Sequence, residues 1–219
     1  MEKLGQSVVY VELLAMICSF IAYYLHPGKT KLSISIILFV IVFTDWMSFL
    51  SLTRYLGINK VHWFNLLVPV QLCLWGNLII ANLFNARWIR FFNILLLIYL
   101  TFSVCVFLYL FSGKKFMGFG KFFTPGYTCG VIMLSVICFR YLYEYVNSNR
   151  IMQKWYETIL LIVFGLLIFY LGTLPFHAMR SYLYYNFPNI FTVYFYLFII
   201  LNYCLYIIIS SIVLCLKER

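Results

Sequence analysis

Apolar residues fall into seven runs along the chain, each set off from the next by a short polar, Gly/Pro or basic stretch. A helix that crosses the ~30 Å hydrocarbon core needs about 20 apolar residues at ~1.5 Å rise per residue. The runs meet that length. They predict an all-α fold, a polytopic membrane protein built as a seven-transmembrane-helix bundle in a single domain, with spans at about 7–26, 33–55, 63–84, 91–111, 127–147, 155–176 and 190–216. Punctuation supports the divisions: His26-Pro27-Gly28 after the first run, Gly57-Ile58-Asn59-Lys60 after the second, and the Gly- and Lys-rich stretch 112–127 after the fourth. The residues His177–Asn189 read as an aromatic connector between the last two spans. Pro69, and the group Gly172-Thr173-Leu174-Pro175, read as kinks or boundary marks.

The second run, SISIILFVIVFTDWMSFLSLTRY, carries an acid, Asp45, near its middle. An ionised carboxylate at the bilayer centre costs at least about 2.5–3.5 kcal/mol, so Asp45 must face protein or water rather than lipid. Glu12 in the first span, Gln71 in the third and Asn202 in the seventh are expected at comparable depth, Glu12 nearer the outer third. These four are expected to form one polar cluster, with Thr44 and Ser48 beside Asp45. Two roles fit such a cluster: a proton-linked, ion or polar-ligand site, or polar glue that holds helices in register. Arg140 and Glu144 stand i and i+4 at the end of the fifth span, and Glu157 opens the sixth; a helix-end ion pair explains them. His26, His62 and His177 sit at span ends, without the spacing of a metal site.

The 219 residues are 65% apolar, with a mean hydropathy of +0.97, against about 45–50% apolar in soluble domains. No polar stretch is long enough for a water-soluble domain. The formal charge of +10 comes from basic residues scattered one to three per loop, as on membrane flanks, so nucleic-acid binding is not expected. Lys and Arg number seven on the N-terminal side and nine on the other, which favours an outside N-terminus and a cytoplasmic C-terminus in the cell inner membrane. The three-lysine loop at 112–127 opposes that bias. The seven cysteines lack metal-ligand spacing and read as small apolar core residues. The first run has no small-residue cleavage site and reads as a retained span.

Several chemistries fit poorly. A retinal Schiff base needs a lysine within a span, and none lies there. A b-type haem needs histidine within a span. The serine-hydrolase elbow G-x-S-x-G is absent. No cofactor or metal is expected. Lipid chemistry by an acid pair such as Glu12 with Asp45 stays open by spacing.

The third span HWFNLLVPVQLCLWGNLI, the sixth LIFYLGTLPF and the last LFIILNYCLYIIISSIVL resemble those of small stand-alone seven-span proteins of Bacteroidota. The resemblance covers nearly the whole chain. Proteins similar to these are often encoded beside two-component regulators, which implies a sensory or accessory role. It also implies a Glu at the position held here by Gln71, a departure that removes a titratable group. The expected function is a sensor-like or accessory membrane module that binds a hydrophobic ligand or a partner transmembrane helix and acts through a membrane protein partner, within membrane lipid. The rival is a lipid-acting enzyme or small transporter using Asp45.

Overall fold

The apolar runs become helices because a backbone without water must satisfy its own N–H and C=O groups, and a helix does so within one segment. The computed structural model describes residues 2–49, 60–111, 124–148 and 154–215, with side chains described for 7–46, 64–109, 124–148, 158–180 and 182–215. Among the described residues there are seven α-helices: α1 (Glu2–Leu25), α2 (Lys29–Phe49), α3 (Lys60–Ile80), α4 (Ala86–Phe111), α5 (Thr124–Val146), α6 (Lys154–Asn186) and α7 (Pro188–Cys215). Five contain segments long and apolar enough to cross a membrane: Ser7–Leu25, Ala86–Tyr109, Thr124–Val146, Thr158–Arg180 and Pro188–Cys215. The architecture is that of an all-helical, polytopic membrane protein.

Short local bonds stop and start the helices. Asn85 caps α4, its side-chain oxygen accepting from Arg87 N at 2.9 Å, a cap worth about 1 kcal/mol. At the end of α3, Asn82 Nδ2 donates to Leu78 O at 2.8 Å. At the end of α5, Asn147 Nδ2 donates to Tyr143 O at 2.8 Å and Ser148 Oγ to Tyr145 O at 2.9 Å. The first satisfies a carbonyl that the helix end leaves open, and the other two add a second donor to carbonyls that Asn147 N and Ser148 N already meet. Lys31, 1% exposed, donates from Nζ to Ala22 O at 3.4 Å, placing a cation at the C-terminal turn of α1, where the helix dipole favours it.

Two expectations about boundaries need correction. The connector His177–Asn189 is helical as far as Asn186, because α6 runs 33 residues without interruption through Pro175. Proline lacks only its own N–H, and packing beyond it holds the helix: Phe176 stacks on Phe198 at 5.7 Å and lies 5.5 Å from Phe191, both on α7. Pro69 likewise sits inside α3 without ending it. The stretch 112–127 is helical from Thr124, with Pro125 in the first turn of α5, where its missing N–H has no partner to lose. The three lysines of that stretch, with Arg54, Glu157 and the tail 217–219, lie outside the described residues or side chains.

Six helices pack in chain order around a closed ring, α1 on α2, α2 on α3, α3 on α5, α5 on α6, α6 on α7 and α7 back on α1. Helix α4 stands outside the ring, packed against α3 and only lightly against α5. Ile37 and Leu38 from α2, Leu72 and Trp75 from α3, Leu134 and Tyr141 from α5, Leu166 from α6 and Ile209 from α7 belong to one core. Outer faces are apolar too, as with Ile94, Leu97 and Ile98 on α4 or Ile132 and Val136 on α5. A surface of large apolar side chains suits lipid rather than water. The cysteines follow this division: Cys138 alone is buried, whereas Cys105, Cys129, Cys204 and Cys215 are exposed on outer faces. They are not mainly core residues, because small apolar side chains are as welcome toward lipid as toward protein.

Helices approach closely at Gly130 of α5. A Cβ there would run into Tyr99 Oη and sit 2.7 Å from Leu72 Cδ1. The missing side chain lets Tyr99 of α4 cross over α5 and donate to Gly126 O at 3.1 Å.

Candidate functional site

Helices α1, α2 and α7 adjoin around the ring, and each brings one polar side chain to a shared junction. The Glu12 carboxyl of α1 faces the Asp45 carboxyl of α2 and the Tyr206 hydroxyl of α7. Glu12 is 2% exposed and Tyr206 buried, while Asp45 is partly exposed. Among the described residues, Glu12 Oε2 has no hydrogen-bond partner. On the next turn of α7, Tyr203 and Ser7 of α1 share a hydroxyl–hydroxyl hydrogen bond that ties the two helices together.

Depth follows from the helix starts. Ala22 and Lys31 lie level at one end of the bundle. At ~1.5 Å per residue, Glu12 is about 15 Å and Asp45 about 21 Å further into the bundle. Glu12 and Asp45 both lie well inside the bundle, away from the end that holds Lys31. The long Glu12 side chain, tilted toward the N-terminus of α1 as helical side chains are, spans the remaining offset.

The other two expected members divide. Gln71 of α3 donates from Nε2 to Thr44 Oγ1 at 3.0 Å, and Thr44 in turn donates to Val40 O at 2.7 Å. Gln71 thus holds the residue beside Asp45 and ties α3 to α2. Asn202 is buried, but its side chain donates to Phe198 O of its own helix at 2.8 Å; its place at the junction is taken by Tyr206, one turn further along α7. The side chain of Ser48 lies outside those described. Sequence reasoning missed Tyr206 because tyrosine is common here, at 19 residues, and a phenol in an apolar run reads as packing. The one available signal was its i+4 position from Asn202 on the helix already marked as polar.

A second ionisable group sits at the bundle end that holds Lys31. Arg140 donates to Glu144 Oε1 from Nε at 3.0 Å and from Nη2 at 2.8 Å, and Glu144 Oε2 accepts from Phe84 N at 2.8 Å. The guanidinium lies 4.6 Å from the Trp88 ring centroid and 5.1 Å from that of Tyr143. The expected helix-end ion pair is present, and it does more than join i to i+4: it fastens α5 to the α3–α4 link. Beside it opens a groove of about 570 Å³ lined by Asn85, Tyr143, Asn147 and Ser148 among others.

Of the histidines whose side chains are described, His26 and His177 do not meet. His26 is exposed after α1. His177 packs among aromatic rings, 4.6 Å from Tyr127 and 5.4 Å from Phe198. The side chain of His62 is not among those described. Among the described residues no three His, Cys, Asp or Glu side chains group as metal ligands would.

Chemically, the junction places two carboxyls face to face with a phenol and no cation. Two like charges ~4 Å apart repel by about 4 kcal/mol even at an effective dielectric of ~20. A single proton held between two facing carboxyls removes that repulsion. The junction is a site that can accept, hold or pass a proton, within a helical membrane protein. Comparison with family models, with curated proteins and with solved structures gave no match to this chain.

Proposed function

We propose that the chain is a seven-span protein of the inner membrane, N-terminus outside and C-terminus cytoplasmic, that works as a small proton-linked transporter through Glu12, Asp45 and Tyr206. One observation carries this reading. Of the buried ionisable side chains Glu12, Lys31 and Glu144, Lys31 and Glu144 meet hydrogen-bond partners of suitable sign, whereas Glu12 meets another acid. A like-charged pair does not stabilise a bundle, so a role in taking up and releasing protons is the economical account of it. The partial exposure of Asp45 supports a path on which Asp45 is met first and Glu12 second. Purified protein in vesicles loaded with a pH-sensitive dye tests this. Solutes from several classes, offered one at a time, should include one that moves protons in the wild type and not in Asp45→Asn. Proton movement unchanged in both Asp45→Asn and Glu12→Gln would overturn the reading.

A second reading, the sensor-like or accessory module, is favoured by the position of α4. Its outer face, with Phe91, Ile94, Leu97 and Ile98 exposed, stands outside the ring and is suited to a partner transmembrane helix or a hydrophobic ligand. The resemblance to stand-alone proteins encoded beside two-component regulators points the same way. Extraction in mild detergent followed by mass spectrometry separates the readings. A stoichiometric partner lost on Ile94→Ala/Leu97→Ala supports the module, and a chain that runs alone disfavours it.

A further inference from the structure

The groove beside Arg140 opens where the α3–α4 link meets the end of α5, with a volume of about 570 Å³, inside the ~300–1,000 Å³ range of small-ligand sites. Its surroundings favour an anion. The charged side chains described on the link, on the first two turns of α4 and at the end of α5 are Arg87, Arg90, Arg140 and Glu144, three cations against one carboxylate. Both oxygens of that carboxylate are engaged, Oε1 by Arg140 and Oε2 by Phe84 N.

Arg140 has donors to spare. Its bonds to Glu144 leave from Nε and Nη2 and use two of the five N–H groups of a guanidinium. The side chain is 21% exposed, lines the groove and is flanked by the Trp88 and Tyr143 rings. A planar cation held in one orientation with open N–H groups suits phosphate oxygens. Asn85, also on the groove wall, gives its Oδ1 to Arg87 N at the start of α4, which leaves the Nδ2 amide as a donor beside a helix N-terminus that favours negative charge. Ser148 Oγ donates to Tyr145 O, so its oxygen can accept from a hydroxyl.

A phosphate could come from solution or from a lipid headgroup, and the adjoining surface selects the lipid. On α5, Ile132, Val136, Phe139, Tyr143 and Val146 recur at spacings of four and three and are all exposed. They form one apolar stripe about 21 Å long by helix rise, and Tyr143 belongs both to it and to the groove. A cationic groove at the end of an apolar stripe matches a molecule with an anionic head and an acyl chain. Trp88 and Tyr143 are the residue types found where the hydrocarbon ends. We propose that the groove binds the phosphodiester headgroup of an anionic phospholipid. Arg140 and Asn85 donate to its phosphate oxygens, Ser148 accepts from a headgroup hydroxyl, and one chain lies along the α5 stripe. Nothing in this site depends on the acid pair.

Full-length protein stripped of lipid in detergent tests it, titrated with phosphatidylglycerol or with phosphatidylcholine of the same chains, occupancy being counted by native mass spectrometry. Wild type should hold its first phosphatidylglycerol at a concentration about tenfold below that for phosphatidylcholine, and millimolar inorganic phosphate should not displace it. Arg140→Gln should raise the concentration required about tenfold. Asn85→Asp keeps the α4 cap, since Asp caps as well as Asn, but sets a carboxylate on the groove wall. It should weaken binding about as much, with the lipid-free melting midpoint unchanged. Equal affinity for the two lipids, or an affinity that survives both variants, overturns the site. Displacement by phosphate overturns the lipid as its occupant. Should Arg140→Gln fail to fold, Asn85→Asp decides alone.

Discussion

Two pairs of ionisable side chains lie inside this bundle, and they are built on opposite plans. At Arg140–Glu144 the charges are opposite, the contact is bidentate, both carboxylate oxygens accept hydrogen bonds and two aromatic rings flank the cation. At Glu12–Asp45 the groups are alike, a carboxylate oxygen has no partner among the described residues, and a phenol is the only other polar neighbour on α7. The sequence reads the first as an i, i+4 ion pair at a helix end and the second as acids within apolar runs. Satisfaction of hydrogen bonds separates them. The first pair is explained by the fold it fastens, and the second is not.

The sharpest way to break that contrast is to remove Glu144, whose side chain is 7% exposed. Glu144→Ala strands the Arg140 guanidinium and Phe84 N together, and should cost about 3 kcal/mol, a little below the figure for a fully buried pair because Arg140 is partly exposed. A thermal melt in detergent measures it, and an unchanged midpoint would place the clamp among the idle surface pairs. Gly130→Ala provides a packing control remote from both pairs. Its new methyl meets Tyr99 Oη and Leu72, with an expected loss of about 2 kcal/mol and no change in the carboxyl infrared band. Arg140→Lys keeps the charge but gives up the forked bonds and the stacking, an expected loss of about 1 kcal/mol. The smallest effect on stability belongs to the most consequential substitution. Glu12→Gln keeps the size of the side chain and its capacity to hydrogen-bond Asp45, so the melting midpoint should hold within about 1 kcal/mol in stability, while proton exchange disappears. A Glu12→Gln protein that melts as far below wild type as Glu144→Ala would make the acid pair a structural element after all.

Helices were legible in the chain because a membrane segment must be both long and apolar, and that signal survives without any alignment. The end of α6 was not, since Pro175 and the tyrosine-rich residues after it have the composition of a turn; the contacts of Phe176 with α7 that keep the segment helical are long-range and leave no local mark. Within the site, depth matching along antiparallel spans put Gln71 and Asn202 level with Asp45 and Glu12 nearer the outer third, and the structure brings Glu12 and Asp45 face to face. It did not fix which way Asn202 points. An amide in a helix can turn back and donate to the carbonyl four residues earlier, as Asn202 does with Phe198, and is then held on its own helix rather than toward a neighbour. Tyr206 entered the site in its stead because its reach across the ring is set by helix rotation, a quantity that apolar periodicity on an all-round apolar helix leaves undetermined.

The ring closes where α7 meets α1, between the two ends of the described chain. Each other seam joins helices near one another in sequence and can form as the chain emerges, but this one waits for the last helix. Biogenesis therefore leaves Glu12 and Asp45 uncovered on the flank of a half-built bundle until α7 arrives with Tyr206. The long loop closure makes that docking the slow step of assembly. A nascent chain halted before α7 would present the membrane with two uncovered acids, at a cost of a few kcal/mol each if ionised.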